Sequence, residues 1–533
     1  MQALCCMPEK SEDVFWADRV ARDVLEREKA LGRAKIIRTE MGIGASGIPH
    51  VGSLGDGVRS FVVALALKEL GAKSGLIAFS DDRDGLRKVP AGFPRGLEKD
   101  IGKPVSMIDD PGGCHSSFGA HITSLLTDAF ENLGVVFELR KSSVEYPKGT
   151  FDREVLEILK KANQAGEIIK RVTGQEKYMN QLPFMPICSR CGRVYTTTAH
   201  SFDPKRETIF YKCDQGFVGK NVNTGNDIEV RGCGHEGECG IREGKLAWKV
   251  EFAARWRALD ISYEAYGKDI LDSVRCNDAV SKELLGREPP LHSFYEMFTE
   301  RGGRKISKSS GNVFTPETWL KYASPESLRL LFLKRLGTTR VVDLDSIPAC
   351  MEEVDRLADV YFGKTRVDNE KELIHLKRLY EYVNLLKPAK KPQADMPYSM
   401  LINVMKLAKD KNIAKQMLEK TGHTKGENAE LGRRLGYVEN WIRDSGIEEK
   451  VKFRLSENQR SALKELAKFL GKPVSEDSLH EEFWKISKAC GLSPQDFFRA
   501  AYLVLLNQER GPRLAPFILA IGRKKVIGLL RNI

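Results

Sequence analysis

Gly42-Ile43-Gly44-Ala45-Ser46-Gly47-Ile48-Pro49-His50-Val51-Gly52-Ser53 decides how this chain is read. A short apolar run, Lys35-Ile36-Ile37-Arg38, precedes it and reads as a strand. Residues 54–70 follow, long and apolar enough for a buried helix, and Gly71 closes them. Strand, glycine-rich turn and helix together set bare backbone N–H groups and a positive helix end against a phosphate. A side chain at the glycines would hold that phosphate away. His50 and Ser53 sit at the turn, where they can contact the same group. The spacing is neither the dinucleotide fingerprint nor a Walker loop. By itself it reads equally well as a tight turn with an incidental histidine.

A second segment lies far downstream. Lys305-Ile306-Ser307-Lys308-Ser309-Ser310-Gly311-Asn312 is a small, doubly basic loop ahead of a helix expected over residues 316–323. PHVGS and KISKS, in this order and this far apart, resemble the HIGH and KMSKS signatures of class I aminoacyl-tRNA synthetases. KISKS alone would read as a solvated surface loop; the pair does not.

Composition sets the outer limits. A chain of 533 residues suggests roughly three or four domains. Its net charge of +12 favours a polyanionic partner over a membrane. No apolar run is long enough to span a bilayer; residues 61–67 are interrupted at Lys68. MQALCCMPEKSEDVFW lacks the apolar centre of a secretory signal. The cysteines number 11, an odd count, and several fall in metal-ligand spacings, so a cytosolic protein with metal sites is expected.

Along the chain, residues 11–31 read as an amphipathic helix and residues 74–80 as a second buried strand. That strand ends in the charged run Asp81 to Lys88. Ligands of an open parallel sheet lie beyond its carboxyl ends, so this run is placed at the active rim. Asp110, Cys114, His115 and His121 then supply four donors, enough for a tetrahedral zinc. Their spacing matches no common zinc template, and a loop with a helix N-cap and two satisfied histidines is the other reading. Residues 135–143 read as a strand and 150–173 as a helix. Cys188-Ser189-Arg190-Cys191 is a zinc knuckle whose partners lie among Cys213, Cys233, His235 and Cys239; Cys213 and His235 are preferred, with Cys233 close behind.

Residues 248–273 combine tryptophans and tyrosines with Glu251, Arg255 and Asp269. Aromatic walls with a few placed charges suit a small-molecule pocket. Trp256 reads as core. Tyr295-Glu296 is a second aromatic–acid pair. From about residue 348 helical periodicity dominates and the final segment is basic, which suits a nucleic-acid grip or a packing bundle.

More narrowly, the chain resembles the archaeal-type class I lysyl-tRNA synthetases. The resemblance rests on EMGIGASGIPHVGS, DDRDGLRKVP, DPGGCHSSFGAH, CSRC, KLAWKVEFAARW, YEAYGKD, KISKSSGN and LVLLNQERGPRLAPFI, spread from near residue 35 to near residue 520. It implies an α/β fold: a Rossmann-type doubly wound parallel sheet with a zinc-containing insertion, then an all-α helical-bundle domain that binds the anticodon. The expected boundaries are 1–145 and 246–345 for the two halves of the catalytic domain, 146–245 for the insertion and 346–533 for the bundle.

The resemblance also implies ATP and magnesium, two zinc sites, and lysine and tRNA(Lys) as substrates. His50, Ser53, Lys305 and Lys308 become the expected catalytic residues. Gly47, Pro49, Gly52, Ser307 and Ser309 join them around ATP. Gly42, Trp248, Asp269, Tyr295 and Glu296 are expected around lysine. Ser53, Met41, Ile270 and Phe252 depart from residues frequent in the family (Asn, Thr, His and Trp), which bears on amino-acid specificity. Two alternatives stand beside this reading: a glutamyl- or cysteinyl-type synthetase, against which the Asp110–His121 segment argues, and a catalytically silent tRNA-binding paralogue, against which His50, Lys305 and Lys308 argue.

Overall fold

A computed structural model describes residues 15–299, 314–392, 396–408, 410–420, 429–445, 453–511 and 513–531. Lys305, Ser307, Lys308 and Ser309 lie outside the described residues. The chain forms two compact units. The first is Met1–Glu317 with Arg329–Asp343 and Asn369–Lys387; the second is Thr318–Leu328, Leu344–Asp368 and Pro388–Ile533.

The first unit is built on a parallel sheet of five strands: β1 (Ile37–Ile43), β2 (Ser74–Ser80), β3 (Glu138–Lys141), β4 (Ile261–Gly267) and β5 (Leu291–Tyr295). Their spatial order is β5-β4-β1-β2-β3. The chain winds outward from β1 in both directions, so the sheet is doubly wound and its switch point lies between β1 and β4. A ligand of such a sheet sits beyond the carboxyl ends at that point.

Four helices matter to the site: α1 (Trp16–Ala30), α2 (Gly55–Glu69), α3 (Phe118–Asn132) and α4 (Trp248–Ala258). Side chains alternate across a strand, so Glu40 and Met41 leave β1 on opposite faces. Met41 meets α2, whose Gly57 leaves space for its sulfur. Glu40 meets Arg255 of α4. The core on the α4 face runs from Ile77 and Phe79 through Trp256 and Tyr266 into Ile209 and Tyr211 of the insertion. The insertion is a set of small sheets. Thr198–Asp203, Thr208–Lys212 and Glu236–Gly240 form one, and the hairpin Gly216–Asn221/Asp227–Arg231 extends Lys88–Val89 to form another.

The second unit is helical. Ser456, Ser475 and Ser493 each start a helix by accepting a backbone N–H on the side-chain oxygen. Helix Glu370–Val383 groups with the first unit, where Arg378 and Tyr382 both hold Asp18 of α1.

Two elements differ from the sequence pattern. The strand expected over 135–143 is only Glu138–Lys141, and Ser142–Lys148 is a helix. Asp82 explains the switch: it accepts from Ser142 Oγ at 2.8 Å and from Ser143 N at 2.7 Å, satisfying the new helix start. The helix expected over 150–173 divides at Lys161 into Asp152–Lys160 and Ala162–Thr173. Lys161 leaves helical geometry at φ −110°, ψ 29°, and its ammonium reaches the Leu284 carbonyl at 2.9 Å. Among the described residues no helix is long and apolar enough to cross a membrane.

Candidate active site

The turn after β1 delivers His50 in extended geometry, φ −99° and ψ 167°, directly ahead of a short 3-10 turn, Val51–Leu54, that runs into α2. His50 N donates to Ser53 Oγ at 3.3 Å, and Ser53 N donates back to the His50 carbonyl at 2.8 Å. Gly52 is required by the histidine: a Cβ there would stand 2.9 Å from the imidazole. Gly47 and Pro49 are buried, while Gly44 and Ser46 face solvent.

The chain on either side of residues 300–313 meets the histidine turn. Val51 N donates to the carbonyl of Phe314, the first described residue after the KISKS segment, at 2.9 Å. The Phe298 ring, on the other side of that segment, lies 3.6 Å from where a Gly52 Cβ would be. Both flanks of residues 300–313 therefore rest on the histidine turn.

Beneath the switch point, on the α4 face, buried charge collects. Glu40 and Glu264 face each other in register across β1 and β4. Arg255 reaches Glu40, Asp81 at 3.3 Å and Glu264 at 3.8 Å, and its guanidinium lies over Phe79 and Phe252. Trp256 Nε1 donates to Glu264 Oε2 at 2.7 Å, so Trp256 is core, as the sequence suggested, and also holds an acid. Nearby, Lys245 is fully buried between Asp84 and Glu251, and Tyr146 donates to Glu251 at 2.8 Å. Two cations thus face five carboxyl groups. Burial, with Glu264 and Asp81 nearby and Arg255 opposing, pushes the Glu40 carboxyl well above its usual range. Burial likewise pushes Asp81 up to about 7 against the pull of Arg255 and Lys245.

The charged run 81–88 divides: Asp81, Asp82 and Arg83 are buried in the floor, while Arg87 and Lys88 are exposed at the rim. Gly42 lies on the same face of β1 as Glu40, and a Cβ there would meet nothing within 4 Å. Trp248 begins α4 and lies 5.2 Å from Phe252. Asp269 follows β4 at the switch point. Two expected lysine-site residues have side-chain partners of their own. Tyr295 is buried with its hydroxyl on Asp56, and Glu296 pairs with Lys268 at 2.7 Å. Glu40, Glu264, Asp56, Gly55 and Gly57 were not singled out by pattern. The available signal was an acid inside each of two otherwise buried strands, IRTEMGI and ISYEAYG.

Two clusters fit a metal ion. In each, four ligand atoms lie within 4.8 Å of one another. A tetrahedron of bonds near 2.0–2.3 Å has edges of about 3.3–3.8 Å. Cys188 Sγ is 3.7 Å from Cys233 Sγ, and Cys191 Sγ is 3.7 Å from Cys213 Sγ. The fourth member of this cluster is Cys233, and His235 lies outside it. Gly234, at φ +74°, turns the chain between them, and His235 Nε2 faces Ser189 Oγ at 3.0 Å. Cys239 is buried in its strand outside the cluster.

In the other cluster Cys114 Sγ lies 3.1 Å from His115 Nδ1 and 3.3 Å from both His121 Nδ1 and Asp110 Oδ2. Gly113, at φ +64°, lets the loop close. Asp110 is shaped by the loop: burial would raise its carboxyl, but the backbone N–H groups of Gly112 and His115 and the Cys114 thiol hold it well below the usual range.

The chain matches the family described as tRNA synthetases class I (K) over residues 14–385. A lysine–tRNA ligase of Cenarchaeum symbiosum is 43% identical to it over 97% of this chain and 98% of the relative. The chain belongs to the class I lysyl-tRNA synthetases. Others of that description include one from Natronomonas pharaonis, 31% identical over 97% of each chain, and one from Roseobacter denitrificans, 30% identical over 97% of this chain and 95% of the relative. Family membership fits the doubly wound sheet, the histidine turn at its switch point and the helices that follow in sequence.

Proposed function

We propose that this chain is a cytosolic lysine–tRNA ligase, activating L-lysine with ATP and transferring it to tRNA(Lys). The observation that carries the reading is the bond from Val51 to Phe314, which brings the roots of the two signature segments to one turn at the switch point. In the first step the lysine carboxylate attacks the α-phosphorus of ATP and pyrophosphate leaves. Charge grows on phosphate oxygens, so catalysis is positioning and electrostatic stabilisation. His50, Ser53 and the N–H groups from Gly47 to Gly52 would hold the phosphates at the start of α2, while Lys305 and Lys308 would neutralise the leaving group. Magnesium bound with ATP shares that charge. In the second step the terminal ribose hydroxyl of the tRNA, the 2′ hydroxyl by class resemblance, attacks the adenylate carbonyl and AMP leaves.

The lysine side chain is an ammonium. Open space at Gly42, directly above a floor with more carboxyls than cations, suits it: an entering cation supplies the missing counter-charge of Glu40 and Asp81. Asp269, which follows β4, would meet the α-amino group, and Trp248, at the start of α4, would form part of the wall. Zinc suits both metal clusters, structurally at the four cysteines, where every position is filled by protein. A cavity of about 320 Å³ bounded by Tyr178, Tyr195, Trp248, Gln181, Arg87 and Lys177 offers aromatic faces and cations to the acceptor end of the tRNA.

The test is aminoacylation of total tRNA with each amino acid in turn, with ATP and magnesium. Lysine alone should be charged; charging of another amino acid overturns the pocket, and none overturns the function. Lys308→Ala should fold and lose about a hundredfold or more in rate.

A further inference from the structure

A second cavity, of about 370 Å³, opens near the carboxyl ends of β2 and β3. Its charge is unbalanced. Arg83 lines it, is only 9% exposed, and donates from Nη1 to the carbonyls of Arg242 and Gly244 at 2.8 and 2.5 Å. Those acceptors are neutral. Burial pulls the Arg83 pKa below its ordinary value, against Tyr146, Asp82, Glu251 and Glu243, and none of these carboxylates is hydrogen-bonded to it. Lys141 is on the same wall and forms no ion pair among the described residues. The acid on that wall is Asp82, and Ser142 Oγ, Ser143 Oγ and Ser143 N already donate to it. A buried cation without a paired carboxylate is costly, so an anion completes a site of this charge. Ser106 and Ser116 bring further hydroxyls to it. The mouth is apolar: Met107 is 55% exposed and Val144 53%. Cations beneath and apolar side chains above suit a phosphate that carries a sugar and a base.

The sheet register fixes where this cavity stands. Ile43 pairs with Ser80, and Ser80 pairs with Lys141. Neighbouring strands are about 4.8 Å apart, so Lys141 is about 10 Å from the end of β1, where the histidine turn begins. The cavity beside Trp248 is its neighbour along the chain. Asp82, Arg83 and Ile187 line one, while Asp84, Arg87, Phe184 and Met185 line the other. Between them runs the ladder that pairs Phe184–Pro186 with Gly244–Leu246, and Arg83 is bonded to its Gly244.

We propose that this cavity is a subsite for a backbone phosphate in the single-stranded acceptor end of the tRNA, with Lys141 as the contact and Arg83 as the fixed charge beneath it. The inference deepens the ligase reading and rests on it. A strand whose terminal ribose reaches the adenylate, with its last base in the cavity beside Trp248, passes Lys141 within its last few nucleotides. Phosphate contacts set the register of a nucleic acid without reading its sequence, which is what placing one ribose hydroxyl at a reaction centre requires. The other source of such an anion is ATP.

The experiment measures binding of purified tRNA(Lys), and of the same tRNA stripped of its single-stranded 3′ end, to the full chain and to Lys141→Ala and Lys141→Arg, from about 50 to 200 mM salt. Aminoacylation at saturating tRNA runs alongside. Lys141→Ala should bind intact tRNA about tenfold more weakly and bind the stripped tRNA as the unaltered protein does. Its plot of log affinity against log salt should flatten by about 0.7, the loss of one single-strand phosphate contact. Lys141→Arg should keep the slope. KM for lysine and for ATP should stay within about twofold. Equal weakening on both tRNAs, or unchanged affinity and slope in a folded Lys141→Ala, overturns the subsite. A raised ATP KM with unchanged tRNA affinity gives the cavity to ATP and also overturns it. If Lys141→Ala fails to fold, Val144→Glu sets a carboxylate at the exposed mouth and should weaken intact tRNA alone; no change there overturns the proposal. An unaltered protein that charges no tRNA is failure of the ligase reading, which that control separates from failure of the subsite.

Discussion

The two metal-fitting clusters are built in opposite ways. Cys188, Cys191, Cys213 and Cys233 come from distant points of the insertion, offer sulfur only, and are half-buried or buried. Asp110, Cys114, His115 and His121 come from one loop and the start of one helix, mix oxygen, sulfur and nitrogen, and leave Cys114 exposed. Small sheets with few apolar residues need a cross-link to hold together, and a tetrathiolate supplies one. The mixed cluster has less to hold. Ser117 caps α3 by accepting from Ala120 N at 3.1 Å, and Phe118 and Ile122 anchor that helix in a separate small core. It lies instead close to chemistry, beside a cavity of about 370 Å³ lined by Asp82, Ser106, Ser116, Ser117 and Lys141 near the carboxyl ends of β2 and β3. A metal at the sulfur cluster would therefore hold a fold, and one at the mixed cluster would shape a rim.

The largest effect should come from Cys188→Ser. Zinc-binding free energy on the order of 10 kcal/mol is coupled to folding in such sites, so losing one thiolate should release one zinc equivalent and unfold the insertion. Limited proteolysis should then cut within residues 184–246 while the sheet survives. An intact, protease-resistant insertion without zinc would break the contrast, because the cysteines would then be ordinary core.

His121→Ala comes next. It should also release one zinc equivalent, but thermal unfolding should move by no more than about 2 kcal/mol, because the α3 cap and core remain. Lysine charging should fall while protease resistance is kept. A loss of stability as large as that of Cys188→Ser would show that both clusters are structural.

How far these sites could be read in advance follows from how local they are. The histidine turn and KISKS are short patterns, and their chemistry is legible from residue type and spacing. DPGGCH with His121 is equally local, so its four donors were identifiable as a set. The acids beneath the switch point were not, because Glu40, Asp81, Glu264 and Arg255 converge only once β1, β2 and β4 are side by side in register. Asp82 shows the same limit at the level of secondary structure. Residues 142 and 143 belong to an extended run by local preference, and a carboxylate sixty residues away makes them a helix start. Tyr295 and Glu296 have the residue types of a cation site, and their partners Asp56 and Lys268 are matters of tertiary placement that no local pattern shows.

His235 sharpens the comparison with the smallest effect. Spacing favours it as a ligand, since Cys-Gly-His places two donors side by side. The backbone decides otherwise. Cys233 N points at Cys213 Sγ, 3.4 Å away, and Gly232 packs so closely on Cys213 that no side chain fits there. Past Gly234 the chain pairs with the neighbouring strand, as Cys213 N donates to the His235 carbonyl at 2.8 Å. The imidazole then lies across Gly237, where a Cβ would come within 2.9 Å of Nε2, and meets Ser189 Oγ inside the knuckle. Tyr211 supports the same residue, accepting from Ser189 N at 2.9 Å. His235 therefore braces the knuckle from outside the ligand set. Outer partners of this kind typically change metal affinity by about 10–100-fold. His235→Ala should keep a full zinc equivalent at saturating metal, bind it about 10–100-fold more weakly in competition with a chelator, and leave proteolysis unchanged. Cys233→Ser should lose the equivalent outright. If the two variants exchange behaviour, the fourth ligand is the imidazole, and the insertion site becomes a mixed-donor cluster like the one at Asp110.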